Sequence, residues 1–467
     1  MTFFQNIPFM KNILSFRLLL IPATIILLSA GTQEKNPFPE LERYKLKNGL
    51  EVIFADYGKL PVTSLSFFVN VGKKSETPGQ QGLSDLTANS LDLGSERYSR
   101  IDQDRLLYRT GGTLSVSSNE NFTLVQAEFL NKDIDKGMDL VSSVLLKPLF
   151  PDADINEQKG FELSQNKPSK MDIGNLADMY GNYFTYGIAN PLGRHYYETQ
   201  YSKLTIAQIK EFYNFNYTPG NTKLVITGNP DREQMKKLVE QFFGGWTAAY
   251  GEVNGSAYDI PPIKNHECAF IPKVGATQAC IEWFKKAPAA GSKDIAAFNL
   301  ANQVFSDHLG KEIREKDGYT YGIYSRFSES QNDGIFRTKT QVRNDVMFAT
   351  MAAFDKVLTD FYTNGATENE LKKFKTMLKT DIESLEEPTA FATLINPWVY
   401  KDYAKRQQYL AELDAIDLPT LMKVIKKYFT PDSYKVIIAG DETSLGDQLG
   451  KISGLQKLDL TVIEKDQ

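Results

Sequence analysis

Apolar and polar positions fall into one arrangement that the chain uses twice. Residues 217–229 read YTPGNTKLVITGN and residues 429–441 read FTPDSYKVIIAGD, a gap-free match at an offset of 212 residues (429 − 217) with Thr, Pro, Lys, Ile and Gly shared. Each is preceded by apolar residues at helical intervals, in LTIAQIKEFYNFN and IDLPTLMKVIKKY. Pro cannot continue a helix, and the short apolar runs that follow, bounded by turn residues, read as buried strands. The predicted order in both places is helix, Pro-containing turn, buried strand, Gly turn. TGGTLSVSSNENFTLVQAEF (110–129) and KDGYTYGIYSRFSESQNDGIFRTKTQV (316–342) repeat at a similar offset, each as two strands joined by a polar turn. This order of elements points to an internal duplication.

The duplication predicts an α+β fold of two related domains, each a mainly antiparallel sheet with helices packed on one face. The segment TAAYGEVNGSAYDIPPIKN (247–265) is rich in Gly, Ser and Pro and lacks periodicity, so it reads as the linker between an N-terminal domain (38–246) and a C-terminal domain (266–467). Upstream, MKNILSFRLLLIPATIILLSAGTQ has basic Lys11 and Arg17, an apolar run from Leu18 to Leu28, then Ser29, Ala30 and Gly31. That is the order of a secretory signal, placed here at 1–31, and it predicts export across the inner membrane to the periplasm. The run is short for a membrane span, and no Cys follows it to carry a lipid. An uncleaved anchor is the alternative, and translation could start at Met1 or at Met10. No other stretch is apolar enough to span a membrane.

Composition narrows the chemistry. The net charge of −5, with 42% hydrophobic and 24% charged residues, describes a globular chain without a nucleic-acid footprint. His195, His266, His308, Cys268 and Cys280 are the only histidines and cysteines, and none is spaced from another like a zinc ligand. Cys268 and Cys280 read as free buried thiols. They also flank Val274 symmetrically, so a hairpin with an oxidising environment would permit a disulfide. One stretch remains open, GLSDLTANSLDLGS (82–95). Asp85 and Asn89 stand four apart and share a helix face, as a site, the remnant of one, or a solvated stripe.

Several motifs in order carry a resemblance that covers the chain from about residue 40 to 445. LKNGLEVIFADY (46–57), SLSFFVNVGKKSE (64–76) and GLSDLTANSLDLGS resemble the opening of the insulinase/pitrilysin family of zinc metallopeptidases. NPLGRHYYET (190–199), the 204–229 run, FFGGW (242–246) and FSDHLGKEIREKDGYTYGIYS (305–325) are similar to later segments of the same family. The resemblance implies paired α+β domains that form half of a clam-like chamber. It also implies a zinc helix carrying H-x-x-E-H, two histidine ligands and a general-base Glu, with a ligand Glu farther downstream. Here Asp85 stands at the first His, Ala88 at the Glu and Asn89 at the second His. Gln165 stands at the distal Glu by a gap-free count, with Ser164 the alternative one residue away. Ala88 cannot accept a proton, and one carboxylate with two amides is a poor zinc set. The expectation is a degenerate site without metal, although a hard ion such as calcium could be held weakly.

The second-half signature is intact. Leu309 to Lys316 reads as a helix end, Asp317-Gly318 as a turn and Tyr319 onward as a strand. Period two would then put Tyr319, Tyr321 and Ile323 on one face and bring Tyr321 near Arg314. In the resembling family this Arg and Tyr hold the substrate peptide and stabilise the developing oxyanion, roles that suit a fixed guanidinium and a hydroxyl. Helix-dipole and strand preferences would also favour these residue types in a purely structural role. Some bacterial members are heterodimers in which one subunit carries zinc and the other the Arg/Tyr pair. The resemblance therefore implies a noncatalytic, peptide-binding partner subunit, inactive as a peptidase alone, with zinc in the homologous partner. A structural or peptide-binding pseudoenzyme outside proteolysis is the alternative. The glycine-rich substrate loop of the mitochondrial processing peptidase's noncatalytic subunit has no counterpart in this sequence.

Overall fold

The computed structural model describes residues 41–459 apart from 59, 166, 168–169, 196–197, 248–260, 264, 290, 330–333 and 384–403. The expected signal segment and most of the expected linker lie outside the described residues. Among the described residues, no helix is long and apolar enough to cross a membrane.

The strands form two six-stranded sheets. The first contains β1 (Leu41–Lys45), β2 (Glu51–Asp56), β3 (Val62–Val69), β4 (Thr113–Ser118), β5 (Thr123–Leu130) and β6 (Thr222–Gly228), ordered β1-β2-β6-β3-β5-β4. The second contains β7 (Glu267–Pro272), β8 (Gln278–Ala287), β9 (Ile323–Glu329), β10 (Gly334–Arg343), β11 (Lys435–Gly440) and β12 (Leu455–Lys457), ordered β12-β7-β11-β8-β10-β9. The repeated strands β6 and β11 take equivalent central places. Each runs parallel to one neighbour (β2 or β7) and antiparallel to the other (β3 or β8). A central strand is buried on both faces, which is why KLVITG and KVIIAG are nearly continuous apolar runs. The two expected hairpins are β4–β5 and β9–β10, each at a sheet edge.

Helices α1 (Leu83–Asn89), α2 (Arg100–Thr110), α3 (Ile134–Leu146), α4 (Asp152–Gln165), α5 (Ile173–Tyr186), α6 (Glu198–Tyr201), α7 (Ile206–Asn216) and α8 (Arg232–Phe243) belong to the first half, and α9 (Ile295–Leu309) opens the helices of the second. The helices before the repeated strands start where their caps dictate. Thr205 and Gln208 form a capping box ahead of α7, and the Asp417 side chain accepts from Thr420 N ahead of helix Leu418–Tyr428. The first core joins Phe54, Phe67, Phe129 and Leu224 to Val141 and Phe243, and the second joins Trp283 and Phe336 to Phe298, Phe354 and Phe429.

The insertion of β11 between β7 and β8 also corrects the disulfide alternative. Cys268 pairs with Val436 and Cys280 with Ala439, so a whole strand separates the two thiols. Two strand spacings are about 9.5 Å, beyond the reach of a disulfide. Both cysteines are free, and burial pushes the Cys268 thiol up to about 12.

Helix α5 has an unexpected seat. It lies in the first half of the sequence but packs on the second sheet, on the face opposite α9. Leu176, Ala177 and Tyr180 meet Ala269, Phe284, Ile437 and Ala439 there. Gly181 lets the helix approach closely: a Cβ at this position would lie 2.7 Å from the Phe284 ring and 3.2 Å from Ile437. Beside this apolar contact, Asp178 takes Arg337 at 2.6 Å and Lys339 at 2.8 Å, and Lys339 also reaches the Glu282 carboxylate at 2.9 Å and Gly174 O at 2.9 Å. Burial pushes the Glu282 carboxyl up to about 7, with Asp178 adding to the rise and Arg337 and Lys339 opposing it.

Gly181→Val should destabilise the chain by about 2–3 kcal/mol in urea unfolding, through overpacking against Phe284. Gly160→Ala, on the exposed face of α4 with open space around it, should stabilise by about 0.5–1 kcal/mol. Equal effects would contradict the close approach. For Glu282, a carboxyl whose folded pKa lies above its unfolded value stabilises fully below about pH 4.5 and loses that contribution as pH rises through about 7. The stability difference between Glu282→Gln and the unsubstituted chain should therefore shift toward the variant by about 2–3 kcal/mol between pH 4.5 and 8.

Candidate functional site

Helix α1 is built from its N-terminus. Gly82 precedes it with a left-handed backbone (φ 86°), a conformation that glycine adopts without strain. The Glu76 carboxylate then accepts from Gly82 N at 3.1 Å, Ser84 N at 2.8 Å and Ser84 Oγ at 2.6 Å. Burial pushes Glu76 up to about 7 even against these donors. Leu83, Leu86 and Ala88 are buried. Asp85 and Asn89 are only partly buried, and both have partners. Asp85 Oδ2 lies 3.7 Å from Lys73 Nζ. Burial raises the Asp85 pKa, with Glu162 and Glu120 adding to the effect and Lys73 opposing it. Asn89 Nδ2 donates to Glu162 Oε1 at 3.0 Å.

Glu162, on α4, is the centre of this arrangement. Its Oε1 also accepts from Gln158 Nε2 at 2.8 Å, and its Oε2 accepts from the Tyr201 hydroxyl at the end of α6. One carboxylate thus joins α1, α4 and α6. Gln165 stands away from this centre, exposed, with its amide 3.4 Å from Ser164 Oγ, and Ser164 Oγ in turn donates to Phe161 O. The residue facing Asn89 is therefore Glu162, one helical turn before the position the sequence count favours. The stripe Gln158, Glu162, Gln165 at i, i+4, i+7 held the signal, because only one of its three residues is acidic.

The Arg/Tyr signature takes a different form from the one expected. Arg314 lies in a π-helical turn, Gly310–Lys316, that ends α9, and it is exposed. Residues 319–322 are not strand, and β9 begins at Ile323. The expected alternation therefore fails. Tyr319 packs against the second core and Ile323 is buried, while Tyr321 is 94% exposed. The cause is local: Thr320 Oγ1 bonds the backbone at Gly322 and bends the chain before the ladder starts. Among the described residues, no hydrogen bond joins Arg314 to Tyr321.

Comparison with known proteins places the chain in a family. Residues 53–176 match the family model described as insulinase (peptidase family M16), and residues 203–378 match that of the peptidase M16 inactive domain. The chain belongs to the insulinase family. It is 20% identical over 410 residues to the uncharacterized zinc protease YmxG of Bacillus subtilis, covering 85% of this chain and 98% of that one. It is 22% identical over 443 residues to the zinc protease PqqE of Helicobacter pylori, covering 90% and 97%. Among solved structures, a peptidase M16 inactive domain from Pseudomonas fluorescens superposes with a TM-score of 0.78 at 20% identity, covering 86% of this chain and 98% of that one. The periplasmic protease PqqL of Escherichia coli gives 0.74 at 15% identity, and the match spans 91% of this chain but 49% of that one. At these identities the structural matches establish the fold.

Membership in the insulinase family implies zinc, and the residues present do not fit it. Among the described residues, no group of three or more His, Cys, Asp or Glu could hold a metal ion. The Asn89 side chain presents its NH₂, a donor, toward Glu162, and both Glu162 oxygens are engaged. Lys73 brings a positive charge to Asp85, and Ala88 offers no base. His195 is held neutral, its pKa pushed down to about 4 by burial and then by Lys73. The arrangement is a hydrogen-bonded cross-link. Glu162→Ala should accordingly lower stability by about 2–4 kcal/mol in urea unfolding, because the Asn89 and Gln158 amides lose their acceptor. Gln165→Ala should fall within about 0.5 kcal/mol. The reverse ranking would show that Gln165 is the structural residue.

Proposed function

We propose that this chain is a noncatalytic partner subunit of an exported zinc metallopeptidase, working in the periplasm as a heterodimer with a zinc-bearing homologue. The observation that carries the proposal is a contrast within one fold. The helix at the family's zinc position is kept in frame, with Asp85, Ala88, Asn89 and Gln165 replacing ligands and base. The Arg314 and Tyr321 side chains are kept and turned outward. An exposed guanidinium and an exposed phenol are donors waiting for an acceptor, and a peptide backbone or a developing oxyanion supplies one. In this reading Arg314 and Tyr321 bind the peptide and the partner contains the metal. The apolar run at 18–28 supports export, and the relatives named as zinc proteases support a peptidase setting.

The test compares the purified chain with its complex. Alone, it should bind no stoichiometric zinc by metal analysis and should leave fluorogenic peptides uncut. With a zinc-bearing homologous subunit, peptide cleavage should appear, and Tyr321→Phe or Arg314→Ala should lower kcat roughly 100-fold. Metal-dependent cleavage by the chain alone would overturn the proposal. Substitutions that change stability without changing turnover would favour a structural or peptide-binding pseudoenzyme instead.

A further inference from the structure

Tyr321 is almost fully exposed, yet the backbone on both sides of it is pinned. Tyr319 N donates to Ile313 O at 3.0 Å, which ties the segment to the π-helical turn that carries Arg314. Gly322 N donates to Thr320 Oγ1 at 3.1 Å, and Thr320 Oγ1 donates to Gln341 O at 2.8 Å. Thr340, 2% exposed, lies with its Oγ1 2.8 Å from Thr320 Oγ1 and donates to Gly322 O at 2.9 Å. Each hydroxyl has one proton, and this set uses both while satisfying the Gly322 N–H and C=O. The Tyr324 ring lies against Gly322 on the other side, so close that a Cβ there would be 2.7 Å from it.

The strand that supplies the clamp is itself fixed. Thr340 and Lys339 are consecutive on β10 and point to opposite faces. Thr340 reaches the Tyr321 segment, while Lys339 and Arg337 reach Asp178 of α5. A segment outside regular structure that exposes a large side chain is ordinarily mobile. Here the backbone on either side of one exposed tyrosine is held against a strand that is locked on its far face.

We infer that Thr320 and Thr340 are positioning residues that preorganise Tyr321 for the peptide bound by the complex. The inference rests on the role proposed for Tyr321 above. A preorganised donor is held near its working geometry before substrate arrives, so less ordering cost falls on the reaction.

Hydrogen exchange and turnover test it separately. In the full chain, Thr340→Val should raise the exchange rate of the Gly322 amide about tenfold or more, and Thr340→Ser should restore it. Thr320→Ala should do the same and keeps the test open if Thr340→Val fails to fold. In the active complex, Thr340→Val should lower kcat several-fold at unchanged KM, with no further loss when Tyr321→Phe is already present, since the threonine acts through the tyrosine. Unchanged Gly322 exchange in both variants would overturn the inference, as would losses that multiply in the double variant. If Tyr321→Phe leaves turnover unchanged, the proposed role of Tyr321 fails, and the exchange result still decides the clamp.

Discussion

The seat of α5 on the second sheet is the constraint on which the rest depends. A helix from the first half of the sequence is pressed onto a sheet of the second, close enough that Gly181 cannot carry a side chain without displacing Phe284. The apolar contact supplies most of the attraction, in proportion to the area it removes from water. The neighbouring charges set the register. In the observed placement of the helix along β10, Asp178 meets Arg337 and Lys339 together. A buried ionic group contributes little net stability, but a misplaced one is costly, so the quartet with Glu282 acts mainly through specificity. Because β10 also supports the segment around Tyr321, the placement of an N-half helix bears on the geometry of a C-half donor.

Helix α1 is tied to α4 by a hydrogen bond to one carboxylate. A ligated ion would draw α1 and α4 together through shared coordination. Here the Glu162 carboxylate accepts from Asn89 across that gap and from Tyr201 on α6, while Lys73 balances the local negative charge of Asp85. Hydrogen bonds to a charged group are the stronger kind, and partial burial removes the competing water. The replacement is closed: its carboxylate oxygens are engaged and its cation is already present.

Much of the fold was legible because its signals are local. The repeated helix–Pro–strand units, the two edge hairpins and α1 announce themselves within windows of about fifteen residues, through periodicity, caps and turn residues. What was not legible depends on distant partners. An apolar face on α5 says that the helix is covered, not which sheet covers it. The spacing of Cys268 and Cys280 fits a hairpin, yet β11 arrives from more than 150 residues downstream and parts them. Tyr319, Tyr321 and Ile323 alternate as a strand would, but one threonine hydroxyl bonding a backbone two residues on breaks the period. At the site, Asp85 and Asn89 could be placed from spacing alone. Glu162 could not, because a family count finds an aligned position, and the side chain that meets Asn89 comes from the preceding turn.

That last difference bears on what kind of degeneracy this is. If only the ligands had changed, the helix face would carry polar residues with no particular partners. Instead the substitutions fit one another. Asn89 donates where a ligand nitrogen would accept, Glu162 takes that donor from one turn away, and Ala88 is buried with no polar group to satisfy. Returning histidine to position 89 alone would set an imidazole against a carboxylate already held by Gln158 and Tyr201. In the first half these side chains hold α1 against α4 and α6. Arg314 and Tyr321, by contrast, point outward from the second half, and the backbone beside Tyr321 is held still.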